Sequence, residues 1–412
     1  MAWDLRPVAA EEVLALVEAD RRAFHAAPRP EGRRDPNGWD LAELDRTLAA
    51  VEDGEMVGVG RIYSFDLVVP GGARVPVGGV SWIGVIPTHR RRGILSAIMR
   101  RQIADATERG EPMLVLTASE GGIYRRYGYG VATWSTAVSL DATRSEFLRE
   151  VETGGRLRLV DEAEAAEKLP MIYEGARVQQ VGSLSRPDEW WACELFDLPI
   201  DANADSGARF YVLHESATGE PDGYVAYAVD GTWQHGNPQK AARVRDMAAL
   251  DPGVRARLWR YVCDLDLVTR VESFTTPVDD PLRWLLVDSR QLSRSCTNDW
   301  LWVRLLDVSA ALAARRYAAE GRLTFEVVDH LHTDLAGRYL LEGGPEGAAC
   351  VRTDRDPDLV LGVQELGAAY LGGVGFSTLA RAGLVDEATP GSLALADLMF
   401  ASSPLPYCGT WF

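Results

Sequence analysis

Three consecutive arginines and a glycine, Arg90-Arg91-Arg92-Gly93, lie inside the run VSWIGVIPTHRRRGILS from Val80 to Ser96. A strand there ends at Pro87, which has no N–H for a ladder, and a helix opens around the arginines. Backbone N–H groups at a helix start carry partial positive charge, so guanidinium groups gathered beside them make an anion site. A pyrophosphate is the natural guest. Glycine at position 93 lets the backbone approach it with no Cβ in the way. The competing reading is a solvated basic helix start. It is the weaker of the two, because three cations at the positive end of a helix dipole are unfavourable without an anion.

A second group of reactive types follows in TASEGGIYRRYGYG, Thr117 to Gly130. A phenol, with a reference pKa of ~10, can serve as a general acid for a leaving group of similar or lower basicity. Tyr124, Tyr127 and Tyr129 all crowd this run, and residue type alone does not choose among them. Ser119-Glu120 lacks the Gly-x-Ser-x-Gly elbow of a serine nucleophile. His330-x-His332 has no third ligand close in sequence, so no metal site is expected. His89, just before the arginines, reads as a cap or a phosphate neighbour. The chain ends PLPYCGTWF, whereas termini are more often polar and loosely held; this tail calls for burial.

The surrounding pattern is that of a mixed α/β domain of about 140 residues. A strand over Trp3–Pro7 precedes a helix over Glu11–Phe24, with Val13, Leu14 and Val17 at helical spacing. The Pro- and Gly-rich stretch HAAPRPEGRRDPNGWD reads as a loop near a mouth. Strands over Thr47–Val51, Glu55–Val69 and Arg74–Ile86 are joined by turns at Asp53-Gly54 and Pro70-Gly71-Gly72. A helix over about Arg92–Glu108 and a strand over Met113–Thr117 complete it. RVRDMAALDPGVRARLWRYVCDL repeats the strand–turn–helix order, but Asp251-Pro252-Gly253-Val254 stands where the arginines were, so its anion affinity is much weaker. Because any two such units look somewhat alike, duplication stays open on this comparison. Boundaries are expected at 1–145, 146–293 and 294–412. The last segment should hold a helix over Ser309–Glu320, strands over Arg322–Val328 and Arg338–Leu341, and helices around Leu366–Tyr370 and Leu393–Phe400.

Composition bounds the partners. The chain has 412 residues, with 43 Lys+Arg against 60 Asp+Glu and a formal net charge of −17. At ~100–200 residues per domain, two to four domains are expected. Apolar residues at 47% and charged residues at 25% are ordinary for globular chains and make disorder, collagen and coiled coil poor readings. Nucleic acid is an unexpected partner, since it is bound by neutralising phosphates with Lys and Arg; a cationic substrate suits the charge better. Five scattered cysteines with no CxxC pair signal neither zinc nor a disulfide framework. Asp4, Glu11 and Glu12 stand where a secretory signal needs basic residues, and no run approaches the ~20 apolar residues of a membrane span. The expected location is the cytoplasm, with export by an unrecognised route left open.

The arginine loop resembles the acyl-CoA loop of the GCN5-related N-acetyltransferase (GNAT) superfamily, Gln/Arg-x-x-Gly-x-Gly/Ala, with Leu95 departing at the last position. With PTHRRRG followed by ASE-x-GIY-x-R-[FY]-GYG, the chain is similar to the Eis (enhanced intracellular survival) branch, where leucine occupies that position. The likeness continues through Asp280-Pro281-Leu282, NDWLWVR from Asn298 to Arg304, and a C-terminal FAS before the tail. It implies an α+β protein of two tandem GNAT-like mixed α/β domains, the second degenerate, followed by a sterol-carrier-protein-like α+β domain. It implies acetyl-CoA as co-substrate and no metal. The pantetheine arm would lie along the strand at Ile83, Gly84 and Val85 by main-chain bonds. The pyrophosphate would meet Arg91, Arg92, Gly93, Ile94, Leu95 and Ser96. Ser119 and Glu120 match a further cofactor-contacting pair, Glu120 through its backbone or with its carboxylate facing the amine.

The resemblance also picks Tyr124 as acid and leaves Tyr127 and Tyr129 as packing residues. It gives the base as the α-carboxylate of Phe412; from the sequence alone, an apolar tail docked with no catalytic duty is the simpler reading. A terminal carboxyl with a reference pKa of ~3.3–3.7 is a weak base, so desolvation must raise it or it must work by orienting the amine. The implied acceptors are cationic multi-amine small molecules such as aminoglycosides, and the implied assembly is a homohexamer. Phe24, Trp39, Asp40 and Trp82 are candidate walls of the acceptor pocket, though each also suits a core or surface role. Two other readings stand beside this one: a protein lysine acetyltransferase, and a lipid or small-molecule carrier using the C-terminal domain.

Overall fold

Turn chemistry and alternation build the first strands. β1 (Asp4–Pro7) is followed by helix α1 (Val13–Ala23), then by β2 (Thr47–Glu52), β3 (Glu55–Val68) and β4 (Arg74–Val85). Asp53 and Gly54 take positive φ values of 51° and 85°, the backbone a tight hairpin requires. Helix α2 (Ile94–Glu108) crosses to β5 (Met113–Thr117), and β6 (Gly130–Val131) follows. The structure is a computed structural model that describes residues 3–26, 43–196 and 209–412. Among them no helix is long and apolar enough to cross a membrane.

The strands β7 (Trp134–Asp141), β8 (Arg156–Val160), β9 (Arg209–Glu215), β10 (Pro221–Gln234), β11 (Asn237–Ala249), β12 (Val268–Pro277) and β13 (Leu292–Asp299) come next, with a helix over Pro252–Cys263 between β11 and β12. β14 (Leu301–Leu305) precedes β15 (Gly321–Val328), β16 (Gly337–Gly344), β17 (Gly347–Arg352), β18 (Leu359–Gly362) and β19 (Val385–Glu387). Three sheets result: β1-β2-β3-β4-β5-β14-β6, β8-β9-β10-β11-β12-β7-β13, and β17-β16-β15-β18-β19. The first two share one plan. Four antiparallel strands lead to a parallel pair, β4 with β5 and β11 with β12, each joined across a helix. The repeat seen faintly in the sequence is therefore a repeat of topology. Each sheet then takes its next strand from beyond the other: β7 pairs with β12, and β14 with β5 and β6. All five β14 residues are buried, as a strand paired on both sides requires.

The chain divides into two units, Met1–Thr133 with Asp299–Pro406 and Thr410–Phe412, and Trp134–Asn298 with Tyr407–Gly409. Within the first, the helix Val363–Ala369 lies against β14 and β6. The approach is close enough that a β-carbon on Gly130 would stand 1.8 Å from the Gln364 carbonyl oxygen, so only glycine fits. Arg304 of β14 is fully buried, donating to Asp329 Oδ2 at 2.7 Å and to the Tyr127 carbonyl at 2.6 Å. That second bond ties the tyrosine-rich turn to the sheet. The helix expected over Ser309–Glu320 is shorter, Val308–Ala314. Arg315 leaves helical geometry, and its buried guanidinium donates to the carbonyls of Tyr370 and Phe400.

Removing one partner of a buried pair strands the other charge. Arg304→Ala is expected to lower stability by about 3–5 kcal/mol in denaturant unfolding.

Candidate functional site

The site lies where β4 loses one neighbour. β4 pairs in parallel with β5 only from Gly78 to Val80. Its pairing with β3 shifts register just afterwards, between Ser81 and Gly84. Trp82 sits in the bulge with φ 52°, a conformation unusual for a bulky side chain and characteristic of a re-aimed strand. Beyond Val80, β4 keeps β3 on one side and has no strand partner on the β5 side among the described residues. Ile83, Gly84 and Val85 occupy this stretch, an edge able to accept an extended ligand by main-chain bonds. Ala23, the last residue of α1, stands beside Gly84, whose added β-carbon would come within 2.8 Å of it.

The arginine run follows the strand end. Arg90 is turned back, its Nη2 donating to the Ala23 carbonyl at 2.9 Å and its Nε to that of Val85 at 3.3 Å. Arg91 and Arg92 are exposed. Arg92 makes a two-pronged pair with Glu52 at 2.6 and 2.8 Å, and His89 Nε2 meets the same carboxylate at 2.7 Å. The Arg92 guanidinium, then His89, hold the Glu52 carboxyl below its usual range. Glu52 thus supplies the negative charge that this cluster needs when no anion is bound.

The helix begins two residues later than the sequence suggested, at Ile94, because Arg91 and Gly93 have φ values of 62° and 86° and cannot be helical. No side chain caps α2, so its first-turn N–H groups have no internal acceptor of that kind. The equivalent helix of the second unit is different. Asp251 accepts from Gly253 N at 2.7 Å and Val254 N at 3.4 Å, so its own carboxylate fills the anion position.

Side chains around α2 divide the work. Ile94 is buried and Leu95 packs against the apolar cluster that contains Tyr124, so these two can meet an anion only by backbone. Ser96 Oγ is hydrogen-bonded to Tyr127 OH at 2.9 Å. Tyr124, 6% exposed, sits among Ile62, Val80, Met99, Leu116 and Tyr129. Burial, and then the Glu120 carboxylate, push its phenol up to about 12. It therefore stays protonated across the range in which amines titrate. Ser119 and Glu120 are exposed. Tyr127 and Tyr129 are buried, and Tyr129 packs edge-on to Tyr124 with centroids 6.2 Å apart.

The chain end docks on the same sheet. The Phe412 ring packs edge-on to Phe65 of β3, centroids 5.0 Å apart, and an added β-carbon at Gly79 of β4 would lie 3.0 Å from it. Trp411 leans on Trp300 at 5.5 Å. Gly79 is within the last paired turn of β4 before the bulge, so the terminal residue lies beside the splayed edge. Of the acceptor-wall residues, Trp82 is partly buried with the Arg61 guanidinium 5.4 Å from its ring, and Phe24, next after Ala23, is half exposed. Trp39 and Asp40 lie outside the described residues. Two participants escaped the sequence reading: Glu52, a hairpin acid with no motif around it, and Phe65, one aromatic in an alternating strand. Among the described residues no group of three or more His, Cys, Asp or Glu side chains could hold a metal.

Comparison with known proteins agrees with this layout. Residues 4–132 and 182–305 match two family models described as acetyltransferase (GNAT) domains, and residues 308–409 match one described as a sterol carrier protein domain. The chain thus has the expected architecture of two GNAT domains and a sterol-carrier-like domain. An uncharacterized N-acetyltransferase of Streptomyces griseus is 37% identical over 99% of both chains. N-acetyltransferase Eis of Mycobacterium tuberculosis is 36% identical over 90% of both. The crystal structure of Eis1 from Mycobacterium abscessus superposes with a TM-score of 0.87, at 36% identity and full coverage of both chains.

Gly93 has open space around its Cα, so its requirement is purely one of backbone sign. Gly93→Ala is expected to cost about 1–2 kcal/mol and to raise the Kd for CoA in calorimetry. Gly93→Asn, which tolerates positive φ better, should lose less of both.

Proposed function

We propose, for a chain that belongs to the Eis family of N-acetyltransferases, that the donor is acetyl-CoA and the acceptors are amines of cationic multi-amine small molecules such as aminoglycosides. Tyr124 is the acid and the Phe412 α-carboxylate the base. The observation that carries this reading is the docking of the terminal residue on β3 and β4 beside the splayed strand. An apolar tail with no duty could have packed on any core surface; this one ends at the only strand edge of its sheet that, among the described residues, lies next to an uncapped, arginine-flanked helix.

The chemistry then follows from charge. The acceptor nitrogen, freed of its ammonium proton by the terminal carboxylate, attacks the thioester carbon; the N–C bond forms, the C–S bond breaks, sulfur takes the Tyr124 proton, and the nitrogen, positive after attack, releases its second proton, which restores the phenol. Tyr124, raised to about 12, is a weaker acid than a free thiol at ~8.5, so full transfer to an isolated thiolate is uphill by roughly 5 kcal/mol. The phenol therefore acts first as a hydrogen-bond donor to sulfur. Its proton moves as the attacking nitrogen becomes positive and lowers the phenol's pKa. The exposed Glu120 carboxylate and the formal net charge of −17 favour a cationic acceptor. The cofactor contacts proposed are the main chain at Ile83, Gly84 and Val85, the pyrophosphate contacts at Arg91 to Ser96, and Ser119 with Glu120. The reading extends to a homohexamer; the exposed apolar side chains Leu148, Trp284 and Val287 support a subunit interface, and sedimentation tests the number of copies.

Incubation with acetyl-CoA, a thiol reagent and a panel of aminoglycosides and lysine peptides is the primary test. CoA release with the aminoglycosides is expected; release with the peptides alone would move the acceptor class, and release with none would overturn the reading. Tyr124→Phe should lower kcat about 10²–10⁴-fold while the KM for acetyl-CoA changes little. Because the folded-state phenol titrates near 12, its protonated form persists as pH rises, and kcat should climb with amine deprotonation and show no alkaline fall up to pH 10. A fall below that pH would contradict the assignment of Tyr124.

A further inference from the structure

The second GNAT unit repeats the splayed strand pair of the first, and side chains flanking its opening hold the chain's own tail. β11 pairs in parallel with β12 from Lys240 to Val244, and its register with β10 shifts at the next residue, Arg245. This matches β4, which leaves β5 after Val80 and shifts against β3 immediately afterwards. In the first unit the widening edge is open on the β5 side among the described residues. In the second, residues Tyr407–Gly409 of the C-terminal tail belong to the unit, bonded directly to β12 and linked to β11 through Arg186. Tyr407 OH donates to Thr275 Oγ1 of β12 at 3.1 Å, beyond the last paired residue, Ser273. Its N–H donates to the Val181 carbonyl at 2.8 Å.

On the β11 side the contact runs through Arg186. Its guanidinium is buried, pairs with Asp246 of β11 at 2.7 and 3.3 Å, and donates to the Gly409 carbonyl at 3.2 Å. The rings of Tyr173 and Trp190 cover its faces at 3.7 and 4.0 Å, and Tyr224 OH holds Asp246 at 2.5 Å. The carboxylate and the rings hold the planar fork in one orientation, and from there its Nη2 also reaches the tail carbonyl. With Asp251 satisfying the helix start, the second unit fills its anion position with its own carboxylate, and side chains flanking its strand opening hold the tail.

We infer that the degenerate groove works as a clamp for the C-terminal tail, with Arg186, Thr275 and Tyr407 as positioning residues for the Phe412 carboxylate three residues beyond Gly409. This rests on the reading that the terminal carboxylate is the base. Loosening the clamp leaves the cofactor loop untouched, so it lowers kcat and spares the KM for acetyl-CoA, and it does so only while there is a carboxylate at position 412 to position.

The test is a cycle between Tyr407→Phe and deletion of Phe412, with folding checked by thermal melting. Tyr407→Phe keeps the ring and removes one hydrogen bond; a kcat loss of about 3–10-fold is expected in the full chain, with KM for acetyl-CoA within about twofold, and no further loss is expected in the chain lacking Phe412. Arg186→Lys, which keeps the charge opposite Asp246 but loses the fork, should behave alike. Equal losses in both backgrounds, or KM rising with the fall in kcat, would mark the contacts as merely structural and overturn the clamp. Deletion of Phe412 that leaves kcat intact would overturn the terminal base, and the clamp's purpose with it. Deletion that abolishes kcat while Tyr407→Phe changes nothing would overturn the clamp alone.

Discussion

A helix start with no side-chain cap, flanked by guanidinium groups, must be given negative charge from somewhere. This requirement organises the first unit. N–H groups of the first turn have no partner within the helix, and Arg91 and Arg92 add to their field. In this structure Glu52 supplies the charge, held by Arg92 and His89. A ligand diphosphate, carrying more charge and more acceptor oxygens, can take over both the guanidinium groups and the amides. The strand edge and the bulge at Trp82 lie within a few residues of the strand end, and the buried Tyr124 packs in the same core cluster as Val80, so an anion seated there fixes where the reactive end of its carrier falls.

The second GNAT unit answers the same requirement internally. Asp251 caps its helix, and side chains flanking the unit's strand opening hold the tail. Two units of one topology thus differ by how each satisfies two sets of orphaned groups. One keeps them available to an acyl donor, and the other satisfies them within the protein. A second unit of the same topology whose helix start is self-capped can serve to hold a segment in place.

Much of this was legible in residue order. Asp53-Gly54 marked a hairpin because its backbone needs positive φ, and the arginine run with Gly93 marked a candidate anion site because few other contexts tolerate such charge at a helix start. The apolar tail signalled burial, and the structure buries Pro406, Cys408 and Thr410 while Trp411 stays exposed. Other features were out of reach for physical reasons. The exchange of β7 and β14 between sheets depends on which edge each strand meets, which alternation does not encode. The bulge at Trp82 lies in a run that reads as plain strand. Glu52 is 40 residues from Arg92 in sequence, and Phe65 is distinguished only by what docks on it. Arg186 stands in no motif, although three aromatic residues and the Asp246 carboxylate converge on it.

The most direct measurement is calorimetric titration of the intact chain with CoA at two salt concentrations, in parallel with an Arg91→Ala/Arg92→Ala variant. The account predicts one site per chain, affinity that falls as salt rises, and at least tenfold weaker binding in the variant. Two sites per chain, or binding indifferent to both salt and the arginines, would contradict it.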